Sequence, residues 1–407
     1  MKRSGAGPTV LIAGAGVAGL TTALALHRAG VPCLVAEAVS HFDPIGAGIN
    51  ILPHATARLH ALGLESELAK RAVETRESVF FNRFGQLIFR EPAGRHAGFP
   101  HAQYSIHRAD LHDVLLTAVR ERLGPDAVLT GHRLIRVTQR PGGVTAHFDG
   151  RGELDAEVLV GADGIHSAVR RQLFPDEGEP RYSGVTMWRG VSTWPSFLSG
   201  ASMVRAGWLT TGKLVVYPVR DLPEQQLVNW VAELETPRGA HRDWTRRGEL
   251  DDFLPAFADW RFDWLDVPAM LAAASQILLF PMVDQDPLPR WSHGRVTLLG
   301  DSAHPMVPRG SNGAGQAILD AAVLAECLAA QPGDPVAALE EYDRRRRPPT
   351  SEIVLLNRRT PPDAILREVY ERTGDRPFRH IDDVVSQTYL AEIAARYRVA
   401  TGQVRTA

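Results

Sequence analysis

Leu11-Ile12-Ala13-Gly14-Ala15-Gly16-Val17-Ala18-Gly19-Leu20 is followed by Glu37, 18 residues beyond Gly19. The apolar run 9–13 reads as a buried parallel strand, and 17–28 as the helix after it. Gly14 permits a tight turn, Gly16 lets the backbone approach a pyrophosphate, and Gly19 lets the helix pack closely on the sheet. The helix start offers free N–H groups and a partial positive charge to phosphates. A second apolar run, 31–36, delivers Glu37 to a strand end, where its carboxylate accepts hydrogen bonds from a ribose diol. An acid there disfavours a 2′-phosphate. The spacing therefore predicts the ADP half of FAD or NAD rather than NADP.

A chain of 407 residues exceeds one ordinary core, so two domains are expected. Its net charge of −2 supplies no basic field for nucleic acid. Cys33 and Cys327 are the two cysteines, which argues against a disulfide framework or thiolate metal site and fits a reducing, cytoplasmic setting. Lys2 and Arg3 before an apolar stretch imitate a secretion signal, but the three glycines within that stretch argue against one. No uninterrupted apolar run of about 18 residues is present, so no spanning helix is expected. No His/Asp/Glu spacing suggests a metal site.

Neither an internal repeat nor a low-complexity segment is evident. After the first β-α-β unit, a helix is expected at 53–62 and strands at 79–84 and 87–90, with a loop at 92–100. Helical spacing over 110–123 ends at Gly124-Pro125. A hairpin follows at 133–139 and 144–148, then a strand at 156–160. From Tyr182 to Val283 the texture becomes β-rich, with runs at 184–191, 213–219, 227–234 and 277–283, and most of the eight tryptophans fall there. The tail from Ala337 reads as helical, with Arg344 to Arg347 before Pro348-Pro349 taken as a solvated helix end.

Two further stretches repeat the strand-then-acid theme. Val158-Leu159-Val160-Gly161-Ala162-Asp163-Gly164-Ile165-His166-Ser167-Ala168-Val169-Arg170 is an apolar strand ending in an Asp-Gly turn. Arg295-Val296-Thr297-Leu298-Leu299-Gly300-Asp301-Ser302-Ala303-His304-Pro305 is another, followed by Gly310-Ser311-Asn312-Gly313-Ala314-Gly315 and an apolar helix. Asp301 at a strand end accepts hydrogen bonds from a polyol, and the glycines let a flat ring lie against the backbone. The helix opening near Gly313 points its positive end at the anionic edge of a reduced flavin.

Together, from Val10 to about Arg347, these motifs resemble the single-component flavoprotein aromatic hydroxylases, the family of para-hydroxybenzoate and salicylate hydroxylases. The runs 46–51, 103–108, 187–190 and 281–284 are similar to the phenazine hydroxylases of that family. The resemblance implies an α/β chain: a Rossmann-like FAD-binding domain of para-hydroxybenzoate hydroxylase type, an inserted β-rich substrate domain and a C-terminal helical segment. The FAD domain is expected at 1–75, 101–181 and 284–345, the substrate domain at 76–100 and 182–283, and the helical segment at 346–407.

The same resemblance implies that Gly14, Gly16, Gly19 and Glu37 hold the ADP portion of FAD, with Val17, Ala18, Ala38, Gly48 and Leu134 as further cofactor-binding residues. Arg108 reaches its linking chain or is a plain surface arginine. Asp163 stands where FAD and NAD(P)H meet. Asp301 binds the ribityl hydroxyls with Gly300 as a further cofactor-binding residue, Pro305, Gly313 and Ala314 line the isoalloxazine, and Asn50, Tyr217 and Pro305 are the expected catalytic residues. Asn50 faces substrate or caps a turn, and Tyr217 lines the substrate chamber with Trp188, Trp230 and Phe280. His304 is structural. NADH or NADPH reduces the flavin, O₂ adds to give a C4a-hydroperoxide, and OH passes to an electron-rich aromatic ring. A planar aromatic carboxylate suits the family, with loss of CO₂ as one outcome and Arg189, Arg205 or Arg309 as its partner. A monomer or homodimer without nucleic-acid or membrane partners is expected. An FAD-dependent reductase or a halogenase of the same fold is the alternative; the Trp-x-Trp-x-Ile-Pro run of the halogenases is absent.

Overall fold

The computed structural model describes residues 9–43, 46–237, 247–359 and 361–401. Lys2 and Arg3 lie outside them. The chain opens with β1 (Val10–Ala13), α1 (Val17–Arg28) and β2 (Cys33–Ala36). Then come β3 (Gly48–Ile51), α2 (Pro53–Ala61), α3 (Glu65–Arg71) and β4 (Val73–Glu74). A hairpin of β5 (Glu77–Phe81) and β6 (Leu87–Pro92) precedes β7 (Tyr104–His107), α4 (Arg108–Leu123) and β8 (Val128–Leu129). Strands β9 (Leu134–Arg140), β10 (Gly143–Phe148) and β11 (Gly152–Ala156) form an antiparallel meander. After it come β12 (Val158–Gly161) and α5 (Ala168–Leu173).

The next stretch holds β13 (Arg181–Trp194), β14 (Ser202–Trp208), β15 (Gly212–Asp221) and β16 (Gln226–Glu235). Two-residue β17 (Arg261–Phe262) and β18 (Leu265–Asp266), then α6 (Val267–Ala272), lead into β19 (Ile277–Asp284). Last come β20 (Ser292–His293), β21 (Val296–Leu298), α7 (Gly313–Ala330), α8 (Pro335–Arg359), α9 (Ala364–Thr373) and α10 (Gln387–Ala400).

Two sheets organise this order. The first runs β20-β21-β12-β1-β2-β8, parallel except at β20, and its central strands β12, β1 and β2 are apolar because helices cover them. Helix α1 packs on α4 and α7, and α7 on α2 and α8. The α7 segment is long and apolar enough to cross a bilayer, yet 61% of that window is buried inside the fold, as a core helix should be. The second sheet runs β19-β13-β16-β15-β14-β5-β6, so the 77–92 hairpin joins strands contributed by residues 181–284. Helices α9 and α10 close its β5–β6 end, burying Ile365, Leu366, Val369 and Leu390 against Phe80, Ile88 and Phe89. Each such side chain contributes roughly 1.5–3 kcal/mol.

Two sequence expectations need correction, and one strand pairing was not anticipated. The run 156–160 is not one strand: β11 ends at Ala156 in the meander, and β12 starts at Val158 in the parallel sheet. Gly48–Ile51 and Tyr104–His107, for which no strand was expected, pair as antiparallel strands. Finally, α8 runs through Pro348 and Pro349, so neither the arginine run nor position 346 marks a helix end. The two prolines remove N–H donors, but Arg344, Arg345 and both prolines face solvent, where water satisfies the orphaned carbonyls. Arg346 instead points inward.

Candidate active site

Ala36, Ala13, Gly161 and Leu298 stand in one register row across the four central parallel strands. Three hydrogen bonds carry the row one step further: Gly14 N–H to Ala36 O (2.7 Å), Ala162 N–H to Ala13 O (2.8 Å) and Leu299 N–H to Gly161 O (2.9 Å). Glu37, the glycine turn, Asp163 and Gly300-Asp301 therefore leave the sheet at the same carboxyl edge. Strand β1 has its sequence successor β2 on one side and the distant β12 on the other, the crevice where open α/β sheets bind ligands.

The glycines differ in what they do there. Gly14 has φ +107°, and a Cβ on it would strike the Ala162 carbonyl. A Cβ on Gly19 would strike the Gly14 carbonyl. Gly16 is different: nothing of the protein lies within 4 Å of its missing Cβ, and it opens α1 with no capping side chain. That is a cradle with room for a phosphate over the unpaired N–H groups of Val17 and Ala18. Glu37 holds its carboxylate at the lip, accepting from Ala15 N–H (2.7 Å) and Val39 N–H (2.9 Å), and Ala38 follows half-buried.

Asp163 ties the other two motifs together. Its Oδ1 accepts from Ser167 Oγ (2.5 Å) and Ser302 Oγ (3.1 Å), while Oδ2 accepts from Ala168 N–H (2.7 Å). Arg170 continues the weave, donating to the carbonyls of Ser302 (3.0 Å) and Ala303 (2.8 Å). Asp301, by contrast, is exposed and has no side-chain partner among the described residues. One of its oxygens lies 3.9 Å from where a Cβ on Gly313 would stand, so it borders the first turn of α7. Arg108 is likewise exposed and unpartnered at the start of α4, with Gly46 packed on its Cβ. The free carboxylate, free guanidinium, open cradle and bare helix starts fit the polyol, pyrophosphate and ring edge of FAD. Ala314 is half-buried beside them.

Other expected contacts are occupied by the protein. Gly48 donates to Asn229 Oδ1 (2.6 Å) and its carbonyl accepts from Arg189 Nη2 (2.9 Å), so it fastens β3 to the second sheet. Leu134 is buried in β9 within the main core. Gly300 lies between α1 and α7, where a Cβ would press on Ala18 and Ala317. Pro305 is buried, its carbonyl accepting from Gln285 N–H (3.3 Å).

The second sheet offers one face to this crevice. Met187, Met203, Val215, Tyr217 and Met282 share it with Val307. Side chains alternate along a strand, so Trp188 and Trp230 lie on the opposite face with Phe253 and Phe257 and do not line the chamber. Asn50 is buried and accepts from Ser105 Oγ (2.7 Å), which pairs with Thr75 Oγ1 (2.8 Å). Burial pushes the Tyr217 phenol up, against the Arg189 guanidinium and Asn50 amide beside it. Burial likewise lowers Arg189, whose Nε has no partner.

His304 Nε2 and Arg346 Nε reach opposite oxygens of fully buried Asp320 on α7, at 2.6 and 2.7 Å. Burial works to raise the Asp320 carboxyl, but Arg346 and His304 hold it below the usual carboxylate range. His304 is thus a structural partner. No local pattern announces Asp320–Arg346, nor the reach of Tyr397 on α10 to Asn312 Nδ2 (2.7 Å) and Asn357 Oδ1 (2.6 Å).

Residues 8–356 match the family of FAD binding domains. The chain is 46% identical to a phenazine 1,6-dicarboxylic acid hydroxylase of Lysobacter antibioticus over 96% of both chains. It is 39% identical to a 3-amino-4-hydroxybenzoate 2-monooxygenase of Streptomyces platensis, over 85% of this chain and 86% of that one. Klebsiella pneumoniae HpxO complexed with FAD and uric acid shares the fold at 23% identity, TM-score 0.76, covering 97% of this chain and 95% of that chain. The free acid, free cation and open glycine cradle at one sheet edge thus sit in a chain that belongs to the FAD-binding-domain family, among its FAD-dependent aromatic monooxygenases.

Proposed function

We propose that the chain hydroxylates a planar aromatic carboxylate, a phenazine carboxylate being the fitting class, in the chamber between the second sheet and the Pro305–Ala314 segment. Gly14, Gly16, Val17, Ala18, Gly19 and Glu37 would hold the adenosine diphosphate end of FAD. Arg108, Asp301, Gly313 and Ala314 would hold the remainder. Bound FAD supplies the two-electron chemistry that couples NAD(P)H oxidation to transfer of one atom of O₂. The protein's part is to bind, orient and exclude water. Asn50 and Tyr217 form a buried polar pair suited to fixing a ring substituent, and Met203, Val215 and Met282 keep that end dry.

The overall change balances in two ways. Hydroxylation at C–H takes one aromatic substrate, O₂, NAD(P)H and one proton to phenol, water and NAD(P)⁺. At a carboxyl-bearing carbon, the ring carboxylate leaves as CO₂, and one more proton is consumed. The observation carrying this reading is the buried Asn50–Tyr217–Arg189 cluster facing the segment that follows Asp301. Unpaired thiols at Cys33, pushed up to about 12 by burial, and Cys327 support a cytoplasmic setting.

The test is to follow NADH and NADPH oxidation by the yellow protein with and without phenazine-1-carboxylate, salicylate and aminohydroxybenzoates. Aromatic-stimulated, O₂-dependent oxidation with a hydroxylated product supports the reading. Oxidation indifferent to every aromatic favours the reductase alternative.

A further inference from the structure

We propose that Tyr397, on the C-terminal helix α10, is a positioning residue for the flavin. It draws the Asn312 side chain away from the start of α7, leaving the first-turn N–H groups free for the ring edge of FAD. The proposal rests on the placement of that edge at Gly313 and Ala314 given above. The first α-helical bond of α7 runs from Gln316 N–H to Asn312 O (2.8 Å), so the helix itself does not use the N–H groups of Gly313, Ala314 and Gly315.

An asparagine just ahead of a helix ordinarily caps it. Its backbone is extended there, and its Oδ1 accepts from the N–H two or three residues on, here Ala314 or Gly315. Asn312 does neither. Its φ and ψ of −94° and −27° are already helical, and no side-chain bond caps α7. Its Nδ2 donates instead to the Tyr397 hydroxyl (2.7 Å). Its Oδ1 has no partner among the described residues, although the residue is 1% exposed. The natural cap of this helix is thus held in a geometry that caps nothing.

The two preceding residues show the same restraint. Gly310 (φ +77°) and Ser311 (φ +58°) are both left-handed, and Ser311 is one of three non-glycine residues with positive φ among the described residues. Such backbone persists only where the surroundings over-determine it. Tyr397 supplies that restraint. Its hydroxyl would be struck by a Cβ on Gly310, donates to Asn357 Oδ1 (2.6 Å) and faces the Arg309 carbonyl (3.3 Å). Asn357 is itself fully buried on α8. Helix α10 has its own footing: Leu390 and Ala394 share a core with Phe80 and Val369, and Arg398 pairs with Glu91 of β6. Burial pushes the Tyr397 phenol up, so it remains a neutral donor. The helix start therefore keeps its partial positive charge unspent, and a reduced, anionic ring edge gains more from it than an oxidised one.

The midpoint potential of the FAD-loaded protein, measured by reductive titration against a reference dye, reads this balance. Tyr397→Phe keeps the ring but cannot accept from Asn312. The released side chain then caps α7, and the preference for reduced over oxidised flavin is expected to fall tenfold, equivalent to about 30 mV for a two-electron couple. Asn312→Ala has no cap to offer and should leave that preference within twofold, alone or combined with Tyr397→Phe. Asn312→Ser is too short to reach Tyr397 yet caps well, so it should lower the preference with Tyr397 intact, even if the Phe variant fails to fold. Flavin content and melting temperature report folding. An unmoved potential in Tyr397→Phe or Asn312→Ser, or a double variant as low as Tyr397→Phe alone, overturns the proposal. Ala314→Pro deletes an N–H outright. A lowered potential there with an unmoved Tyr397→Phe defeats the clamp alone, whereas no change in either also defeats the placement of the ring. None of these measurements uses aromatic turnover, so failure of the hydroxylation reading shows separately, as a shifted potential without aromatic-stimulated NAD(P)H oxidation.

Discussion

Ser302 Oγ donates a hydrogen bond to Asp163 Oδ1 over 3.1 Å, joining strand-end motifs 139 residues apart in the chain. The same carboxylate caps α5 through Ala168 N–H. Asp163→Ala removes a helix cap and this cross-link together, and is expected to cost about 1–3 kcal/mol. Urea unfolding of FAD-free protein measures it, and flavin content should fall in parallel. Unchanged stability would place the role of Asp163 in ligand contact alone.

Gly14 and Gly16 separate backbone constraint from ligand space. Gly14→Ala forces a methyl against the Ala162 carbonyl at φ +107° and should lower the melting temperature of the FAD-free protein markedly. Gly16→Ala meets no protein atom and should leave that temperature within error, yet weaken FAD binding at least tenfold. Equilibrium dialysis with FAD distinguishes the two.

Tyr217→Phe deletes a buried phenol set between Asn50 and Arg189. FAD content should be unchanged. Coupled hydroxylation is expected to drop roughly tenfold, the equivalent of about 1.4 kcal/mol, with H₂O₂ release rising. Oxygen-electrode traces with and without catalase read both quantities.

Arg345 and Arg346 are neighbours with opposite fates. Arg345 reaches exposed Glu326, whereas Arg346 neutralises Asp320 in the core. Arg346→Met should destabilise by about 3–5 kcal/mol, because it leaves a buried carboxylate with His304 and the Gly300 N–H but no arginine. Arg345→Met should cost no more than about 1 kcal/mol. Denaturant midpoints decide the matter.

His54 packs neutral against α7, its pKa lowered to about 4 by burial and by Arg346. An unfolded histidine takes up its proton below the ordinary value of 6.5. Between pH 6.5 and about 4 the unfolded chain therefore binds the extra proton, and stability falls as pH falls, by up to about 1.4 kcal/mol per pH unit. Asp363, lowered to about 2 because Lys213 and Arg309 outweigh its burial, adds a further loss only below its ordinary 3.8. His54→Asn should flatten the upper window in melts collected from pH 7 to 4.5.

What was legible in the sequence was what local rules encode. A glycine turn between an apolar strand and a helix is set by residues within one turn of each other, so 10–28 was readable, as were the strands ending at Gly161 and Leu298. The short antiparallel pair of Gly48–Ile51 with Tyr104–His107 was not, because four-residue strands carry too little periodicity. Trp188 and Trp230 were expected in the chamber because alternation along β13 and β16 does not say which face meets the crevice; Met187 takes that place. Arg344 to Arg347 read as a solvated run because Asp320, the partner of Arg346, comes from a different helix.

The most direct test of the account is turnover of the FAD-loaded protein with NAD(P)H and phenazine-1-carboxylate under ¹⁸O₂, with mass spectrometry of the aromatic product. The account predicts one ¹⁸O atom on the ring carbon, with or without loss of the carboxylate, and none taken from water. A product carrying only solvent oxygen, or no oxygenated aromatic despite NAD(P)H consumption, would contradict it.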